Sequence, residues 1–78
     1  MRIYVDVVCS FSKTGAIRPL YIRWTKCTVF NITKINRITP QKNEGTSRLL
    51  FNCMIGNNER DLYLEGGKWY IEKNELYN

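Results

Sequence analysis

The chain has 78 residues, 44% of them hydrophobic, and carries a net charge of +5 with no histidine. A chain of this length forms one domain, 1–78, and it holds enough apolar and aromatic residues for a core without metal ions or disulfides. The lack of histidine removes the commonest general base and metal ligand, so we expect a non-enzymatic protein that uses no cofactor.

No run of residues approaches the roughly 18 consecutive apolar positions of a membrane span. Residues 1–6 alternate between apolar and polar types and include charges, which is not the pattern of a signal peptide. Cys9, Cys27 and Cys53 are an odd number of widely spaced cysteines, which fits neither paired zinc ligands nor a dense disulfide framework. We therefore expect a cytoplasmic protein with no membrane partner.

The first predicted element is a β-strand over residues 1–11, where apolar and polar side chains alternate strictly. A turn at Thr14-Gly15 leads into a second strand that ends at Trp24. If Thr14-Gly15 is a two-residue loop, opposed residues form three apolar pairs on one face. These pairs are Val5 with Trp24, Val7 with Ile22, and Cys9 with Leu20.

A three-residue loop at 25–27 predicts Ile22 opposite Phe30 and keeps the inner face apolar. Such loops usually end in a left-handed residue, so Cys27 is predicted to adopt that strained conformation. The apolar phase then changes after Ile32. Either a β-bulge near Thr33 and Lys34 or a strand end with a short helical turn would restore it. The first meander is thus predicted to occupy residues 1–38.

Residues 39–46 are polar and turn-rich, and predict the one long loop of the chain. A second meander follows over residues 47–73. An Asn57-Asn58 turn would place Cys53 opposite Leu62. The Gly66-Gly67 turn gives the clearest hairpin, with Leu64 opposite Trp69 inside and Tyr63 opposite Tyr70 outside. Residues 74–78 read as a short tail of uncertain order.

Each predicted meander has three strands and one apolar face, and the two faces can cover each other. No helical period extends beyond a turn or two. We therefore expect an all-β fold, a small six-stranded antiparallel barrel or sandwich.

Four stretches of the chain carry a resemblance to a known group. They are residues 15–24 (Gly-x-Ile-x-Pro-x-x-Ile-x-Trp), 29–32, 51–56 and 62–72. Together they resemble short bacterial proteins of unknown function that share the first motif and a Tyr-Leu-x-x-x-x-Gly-x-Trp-x-Val ending. The chain departs from the group at residues 25–27, where the group has an acidic-Gly turn. Some comparable proteins are encoded near translesion DNA polymerases, so the resemblance implies an all-β fold and an association with nucleic acid.

Charge is distributed unevenly along the chain. Residues 1–43 hold eight basic and one acidic side chain, a net of +7, whereas residues 44–78 hold four basic and six acidic, a net of −2. This asymmetry favours an anionic partner. Aromatic and basic side chains on one open sheet face are typical of single-stranded nucleic-acid binders. The residues predicted to bind nucleic acid or another partner are Tyr21, Arg23, Lys26, Lys34 and Arg37.

The same face permits two other interpretations. Tyr4, Val8, Tyr21 and Val29 would serve equally as a contact for another protein or for a second copy of the chain. An ordinary β surface would also be enriched in Tyr and Val, because both have high β-propensity. Asp6 is predicted to lie opposite Arg23 and to form a surface ion pair with it.

Overall fold

A computed structural model describes residues 1–73 as six antiparallel strands that close into a barrel in sequence order. The strands are β1 (Arg2–Phe11), β2 (Ile17–Arg23), β3 (Val29–Asn43), β4 (Thr46–Ile55), β5 (Asn58–Glu65) and β6 (Lys68–Glu72). The expected all-β, six-stranded fold is confirmed, in its barrel form. The predicted tail at 74–78 lies outside the described residues.

β1 and β3 each divide their length between two neighbouring strands. β1 pairs with β6 through Arg2–Val5 and with β2 through Asp6–Phe11. β3 pairs with β2 through Val29–Asn31 and with β4 from Ile32 onwards. Each long strand therefore passes from one side of the barrel to the other, and the core lies between the two sides.

The core is formed by the inward-facing residues of the alternating strands. Ile22, Phe51, Cys53 and Leu62 are buried, and partly buried apolar side chains from β1, β3, β4, β5 and β6 pack around them. The rings of Phe51 and Trp69 lie 5.2 Å apart between centroids. Cys53 belongs to this core, as its position in the alternation predicts.

The predicted long loop at 39–46 is wrong. β3 continues to Asn43 and β4 begins at Thr46, so that only Glu44 and Gly45 form the turn. Both turn residues have positive φ, 51° and 85°, which is the geometry of a tight hairpin turn. The two meanders predicted at 1–38 and 47–73 are therefore one continuous sheet at this point, joined by the β3–β4 hairpin.

Two predicted registers are corrected. Cys9 lies opposite Pro19 instead of Leu20, because the β1–β2 loop has three residues, 13–15, and not the two predicted at Thr14-Gly15. The bulge between Val8 and Cys9 then restores the predicted pairing of Val7 with Ile22. The β1–β2 pairing begins at Asp6 opposite Arg23, so the predicted pair of Val5 with Trp24 is not formed, and Val5 pairs with Trp69 of β6.

The predicted Asn57-Asn58 turn is also wrong. Asn58 pairs with Ile55, so the turn is Gly56-Asn57, and Gly56 has a φ of 62°. Phe51 consequently lies opposite Leu62 and Cys53 opposite Arg60. A shift of two residues leaves every side chain on its predicted face, because the period of a strand is two.

The remaining hairpins confirm the local predictions. Ile22 lies opposite Phe30, and Tyr63 and Leu64 lie opposite Tyr70 and Trp69. β3 does contain a bulge at Thr33, and it has a second one at Asn36.

Cys27, by contrast, does not have the positive φ predicted for it. The side chain of Thr25 explains the difference. Its Oγ1 accepts hydrogen bonds from the backbone N–H groups of Cys27 (3.3 Å) and Thr28 (3.1 Å). A hydroxyl used in this way turns the chain without a left-handed residue.

Candidate functional site

The β2–β3 hairpin carries the strongest candidate site. Trp24 and Thr28 flank its loop, and the Trp24 N–H donates to the Thr28 carbonyl at 2.9 Å. Beside the loop, Arg23 lies opposite Val29. We call residues 21–31 the projecting hairpin, because its loop end extends past the point at which β1 leaves β2 to pair with β6.

Two aromatic side chains of the projecting hairpin face solvent. Trp24 is 45% exposed and Phe30 42% exposed, and their rings meet edge to face with centroids 6.2 Å apart. Both lie on the phase of the strands that points inward elsewhere, and sequence reasoning placed them in the core. Trp24 lies beyond the end of the β1–β2 pairing, which begins at Asp6 opposite Arg23, so no β1 residue is paired opposite it. The sequence did contain one signal of the exposure of both rings, their position beside the loop, since side chains at a hairpin tip lack flanking strands.

Arg23 and Lys26 add two exposed cations to the same tip. The register prediction that Asp6 lies opposite Arg23 is confirmed. The predicted ion pair is not formed, because the salt bridges within residues 1–73 are Arg2–Glu65 and Arg48–Glu72 alone. Arg23, Trp24 and Asp6 line a shallow hollow of about 200 Å³ at this end of the barrel.

Tyr21 occupies the outer face of β2 at the other end of the hairpin. It is half-buried and lies between Val8 of β1 and Asn31 of β3. Tyr21, Arg23 and Lys26 thus lie on one hairpin, with Tyr21 at its base and Arg23 and Lys26 at its tip.

Lys34 and Arg37 occupy a different part of the surface. They lie on β3 beside its two bulges, opposite Met54 and Asn52 of β4, and both are exposed. Lys34 is three residues beyond Asn31, the last β3 residue that pairs with β2, which corresponds to about 10 Å along a strand. The predicted five-residue site therefore consists of three residues on the projecting hairpin and two cations farther along β3.

The alternative interface is divided in the same way. Val8 and Tyr21 are neighbours across β1 and β2, and Val29 lies close by, opposite Arg23. Tyr4 lies on the part of β1 that pairs with β6, where its ring contacts Tyr70 with centroids 5.6 Å apart. Four residues of strand separate it from Val8, about 13 Å.

A layer of tyrosine and arginine covers the outer face of β4, β5 and β6. Tyr63 and Tyr70 are stacked with centroids 5.2 Å apart, and both are buried although they point outward. The guanidinium carbon of Arg48 lies 4.2 Å from the Tyr63 ring centroid, and that of Arg2 lies 4.3 Å from the Tyr70 centroid. The pKa of the Tyr63 hydroxyl is raised, mainly because the side chain is buried. We call these four residues the tyrosine–arginine layer.

Arg2 and Arg48 have a structural role, because their guanidinium groups cover the two tyrosine rings. Sequence reasoning placed Tyr63 opposite Tyr70 but missed the arginines that cover them, because Arg48 reaches its partners from a strand that is distant in sequence. The seven basic residues between Lys13 and Lys42 form none of the salt bridges found within the described part of the chain. Cations available to an anionic ligand are thus concentrated in β2, β3 and their loops.

Neither a metal site nor a membrane-spanning helix is found in the described residues. No group of three or more cysteine, aspartate or glutamate side chains there could hold a metal ion, and no helix is long and apolar enough to cross a membrane. The fold and its surface define a small six-stranded β-barrel with a projecting aromatic and basic hairpin. Comparisons with protein-family models, with curated proteins and with solved structures find no match to this chain. The resemblance to short bacterial β proteins accordingly stays a prediction.

Proposed function

We propose that this protein is a non-enzymatic module that binds single-stranded nucleic acid through the projecting hairpin. The observation that supports it is the exposed pair of Trp24 and Phe30 beside Arg23 and Lys26. Large exposed aromatic rings are costly in water, and here they lie next to cations that form no salt bridge with a described carboxylate.

The chemistry of this tip matches an unpaired strand of nucleotides. Bases stack on aromatic rings, which contributes about 1–3 kcal/mol per base, while lysine and arginine neutralise the phosphates between them. Bases in a duplex already stack on each other, so Trp24 would reach them only in a single strand or a loop. Lys34 and Arg37 extend the basic surface along β3 and would contact phosphates farther from the tip.

A salt titration tests the proposal. Fluorescein-labelled oligothymidylate of about 12 nucleotides and a duplex of the same length are titrated with the protein by anisotropy at several salt concentrations. We expect the single strand to bind more tightly than the duplex, and its affinity to fall steeply as salt rises. Trp24→Ala should weaken binding without changing the salt dependence.

Charge variants supply the matched control. Arg23→Ala with Lys26→Ala should reduce the slope of log K against log salt by about 1.4, since each phosphate contact on a single strand contributes roughly 0.7. Lys13→Ala with Lys42→Ala removes the same charge from two exposed positions elsewhere and should change the slope far less. Absence of binding at low salt, or equal loss in both double variants, would refute the proposal.

A protein contact or self-association is the second candidate. Val29 is 46% exposed on the outer face of β3, opposite Arg23, and exposed apolar side chains beside Tyr and Arg are also typical of protein interfaces. Its predicted surface is Tyr4, Val8, Tyr21 and Val29. A stable dimer by light scattering that Val29→Asp dissociates, together with no oligonucleotide binding, would favour this candidate.

We also propose a cytoplasmic location. Cys9, Cys27 and Cys53 are all free thiols in the structure, and free thiols persist in a reducing compartment.

A further inference from the structure

β2 and β3 are neighbours in the barrel, yet they pair over only three residues each. Tyr21–Arg23 lie opposite Val29–Asn31. Beyond them, the first half of β2 pairs only with β1, and β3 pairs only with β4. From Thr33 onwards, one edge of β3 thus pairs with no strand in the described part of the chain.

Pro19 explains why the pairing between β2 and β3 stops. Backbone N–H groups along a strand point alternately to its two neighbours. The Ser12 N–H donates to the Ala16 carbonyl at 2.9 Å, so the polar backbone groups of Ala16 face β1. The groups of Arg18 then also face β1, and the nitrogen of Pro19 faces β3. Proline has no hydrogen to donate, so no ladder continues at this position. The bulges next to Leu20 and at Thr33 also bend the strands apart.

A second proline limits the open edge at its other end. In the Glu44-Gly45 hairpin the pair next to the turn, Asn43 with Thr46, is hydrogen-bonded, and alternation makes Pro40 with Leu49 a non-bonded pair. The nitrogen of Pro40 therefore faces away from β4 and offers no donor. The edge able to accept another strand runs over residues 33–39.

An open cleft of about 440 Å³ lies between this part of β3 and the β1–β2 hairpin. Its lining is mainly apolar, with no acidic side chain: Ser10, Phe11, Ser12, Ala16, Ile17, Arg18, Ile35 and Ile38. Phe11 is 69% exposed and Ile38 is 48% exposed. Exposed apolar side chains around one cleft are typical of a binding surface.

The surroundings of the cleft are positively charged. Arg18 lines it, and Lys34 and Arg37 are exposed on the strand that forms its open edge. The sequence contains no acidic residue between Asp6 and Glu44. A ligand that carries negative charge and apolar groups is therefore complementary to the cleft.

We propose that the cleft binds an extended acidic peptide segment of a partner protein, which adds as a strand to residues 33–39 of β3. Apolar side chains on one face of the segment would pack on Ile35, Ile38 and Phe11, and acidic ones would meet the cations. The peptide backbone would supply partners for the unpaired groups of the β3 edge. The cleft lies apart from the projecting hairpin. Lys34 and Arg37 border both surfaces, but peptide binding in the cleft does not depend on nucleic-acid binding.

The open edge favours a peptide over a fatty acid and over a second copy of the chain. A fatty acid would cover the backbone edge without hydrogen-bonding it, which costs free energy for each buried polar group. Pairing of two β3 edges would bring Lys34 and Arg37 of two copies together, and like charges oppose such pairing. The two bulges also twist the edge, which a short segment can follow more easily than the flat edge of another sheet.

The test uses a fluorescein-labelled peptide of about eight residues, alternating Glu and Val, which is long enough to span the open edge. A Lys/Val peptide of the same length controls for charge. An analogue with two central amides replaced by esters controls for the backbone ladder. We expect the Glu/Val peptide to bind at least tenfold more tightly than the Lys/Val peptide and at least fivefold more tightly than the ester analogue.

Two variants that each introduce an aspartate on β3 locate the site. Ile38→Asp puts a negative charge in the cleft and should weaken Glu/Val binding at least tenfold. Val29→Asp is the matched control, because Val29 lies on the same strand with 46% exposure against 48% for Ile38, and it should change affinity less than twofold. Phe11→Ser, at a more exposed position, should reproduce the loss if Ile38→Asp unfolds the protein.

Four outcomes would overturn the proposal. They are no binding of the Glu/Val peptide, equal binding of the Lys/Val or ester peptide, equal loss in the Val29→Asp variant, and displacement of the peptide by stoichiometric laurate. A dimer in light scattering that Ile38→Asp dissociates would assign the cleft to a second copy of the chain instead.

Discussion

The Nη1 atom of Arg48 donates a hydrogen bond of 2.8 Å to the hydroxyl oxygen of Tyr70. That hydroxyl in turn donates to Oε1 of Glu65 at 3.1 Å, and Tyr70 is only 1% exposed. The barrel therefore has a second buried layer on its outside, in which arginine stems and rings cover tyrosines that the main core does not reach. For so short a chain this layer supplements a small core.

Arg48→Met tests the contribution of the tyrosine–arginine layer to stability. The substitution keeps a long apolar stem but removes the hydrogen bond to Tyr70 and the cation above the Tyr63 ring. We expect the free energy of unfolding in urea to fall by about 1–2 kcal/mol. Arg60→Met is the control, because Arg60 is exposed and bonds only the backbone of its neighbour Glu59. Equal losses in the two variants would show that the layer contributes nothing specific.

Asn52 makes a second prediction about stability. Its side chain is 4% exposed and accepts a hydrogen bond from Nδ2 of Asn36 (2.9 Å) while it donates to Oδ1 of Asp61 (2.8 Å). It thereby connects the second bulge of β3 with β5. Asn52→Leu should lower the free energy of unfolding by about 1–3 kcal/mol, measured by urea denaturation. Asn31→Leu, at an exposed site on β3, should change it by less than about 0.5 kcal/mol.

Local patterns predicted the parts of the fold that depend on neighbouring residues. The alternation of residues 1–11 predicted β1, and the Gly66-Gly67 turn predicted the pairing of Tyr63 with Tyr70. The strand over residues 39–43 was missed, because its polar side chains do not alternate with apolar ones and resemble a loop. Strand pairing there follows from the tight turn at Glu44-Gly45 and not from burial.

The candidate site depended on a relationship between distant residues. Whether Trp24 is covered depends on where β1 changes its partner from β2 to β6, and that change falls between Asp6, opposite Arg23, and Val5, opposite Trp69. None of these residues reveals it locally. Sequence reasoning therefore found the cations and Tyr21 of the projecting hairpin but assigned its two exposed aromatic rings to the core.

The backbone conformation of Glu44 leads to a prediction about the stability of the β3–β4 turn. Glu44 is the only described residue other than glycine with a positive φ, 51°, and this conformation is strained for most side chains. Asparagine tolerates it, so Glu44→Asn should raise the free energy of unfolding by about 0.5–1 kcal/mol. Thermal unfolding measures the effect. Glu44→Gln removes the same charge without easing the backbone, and a gain equal to that of Glu44→Asn would attribute the effect to charge alone.

The buried thiol of Cys53 predicts how stability depends on pH. Burial, with a smaller contribution from the charge of Asp61, raises the pKa of the Cys53 thiol from 9.0 to about 11. As pH rises, the unfolded chain loses this proton first, so the contribution to stability is complete below about pH 9 and is lost as pH approaches about 11, by on the order of 2 kcal/mol. Urea unfolding of the protein and of Cys53→Ala across this range isolates the effect, because every other group titrates in both. We expect the stability difference between the two to shrink with rising pH, and a constant difference would contradict a thiol that stays protonated in the fold.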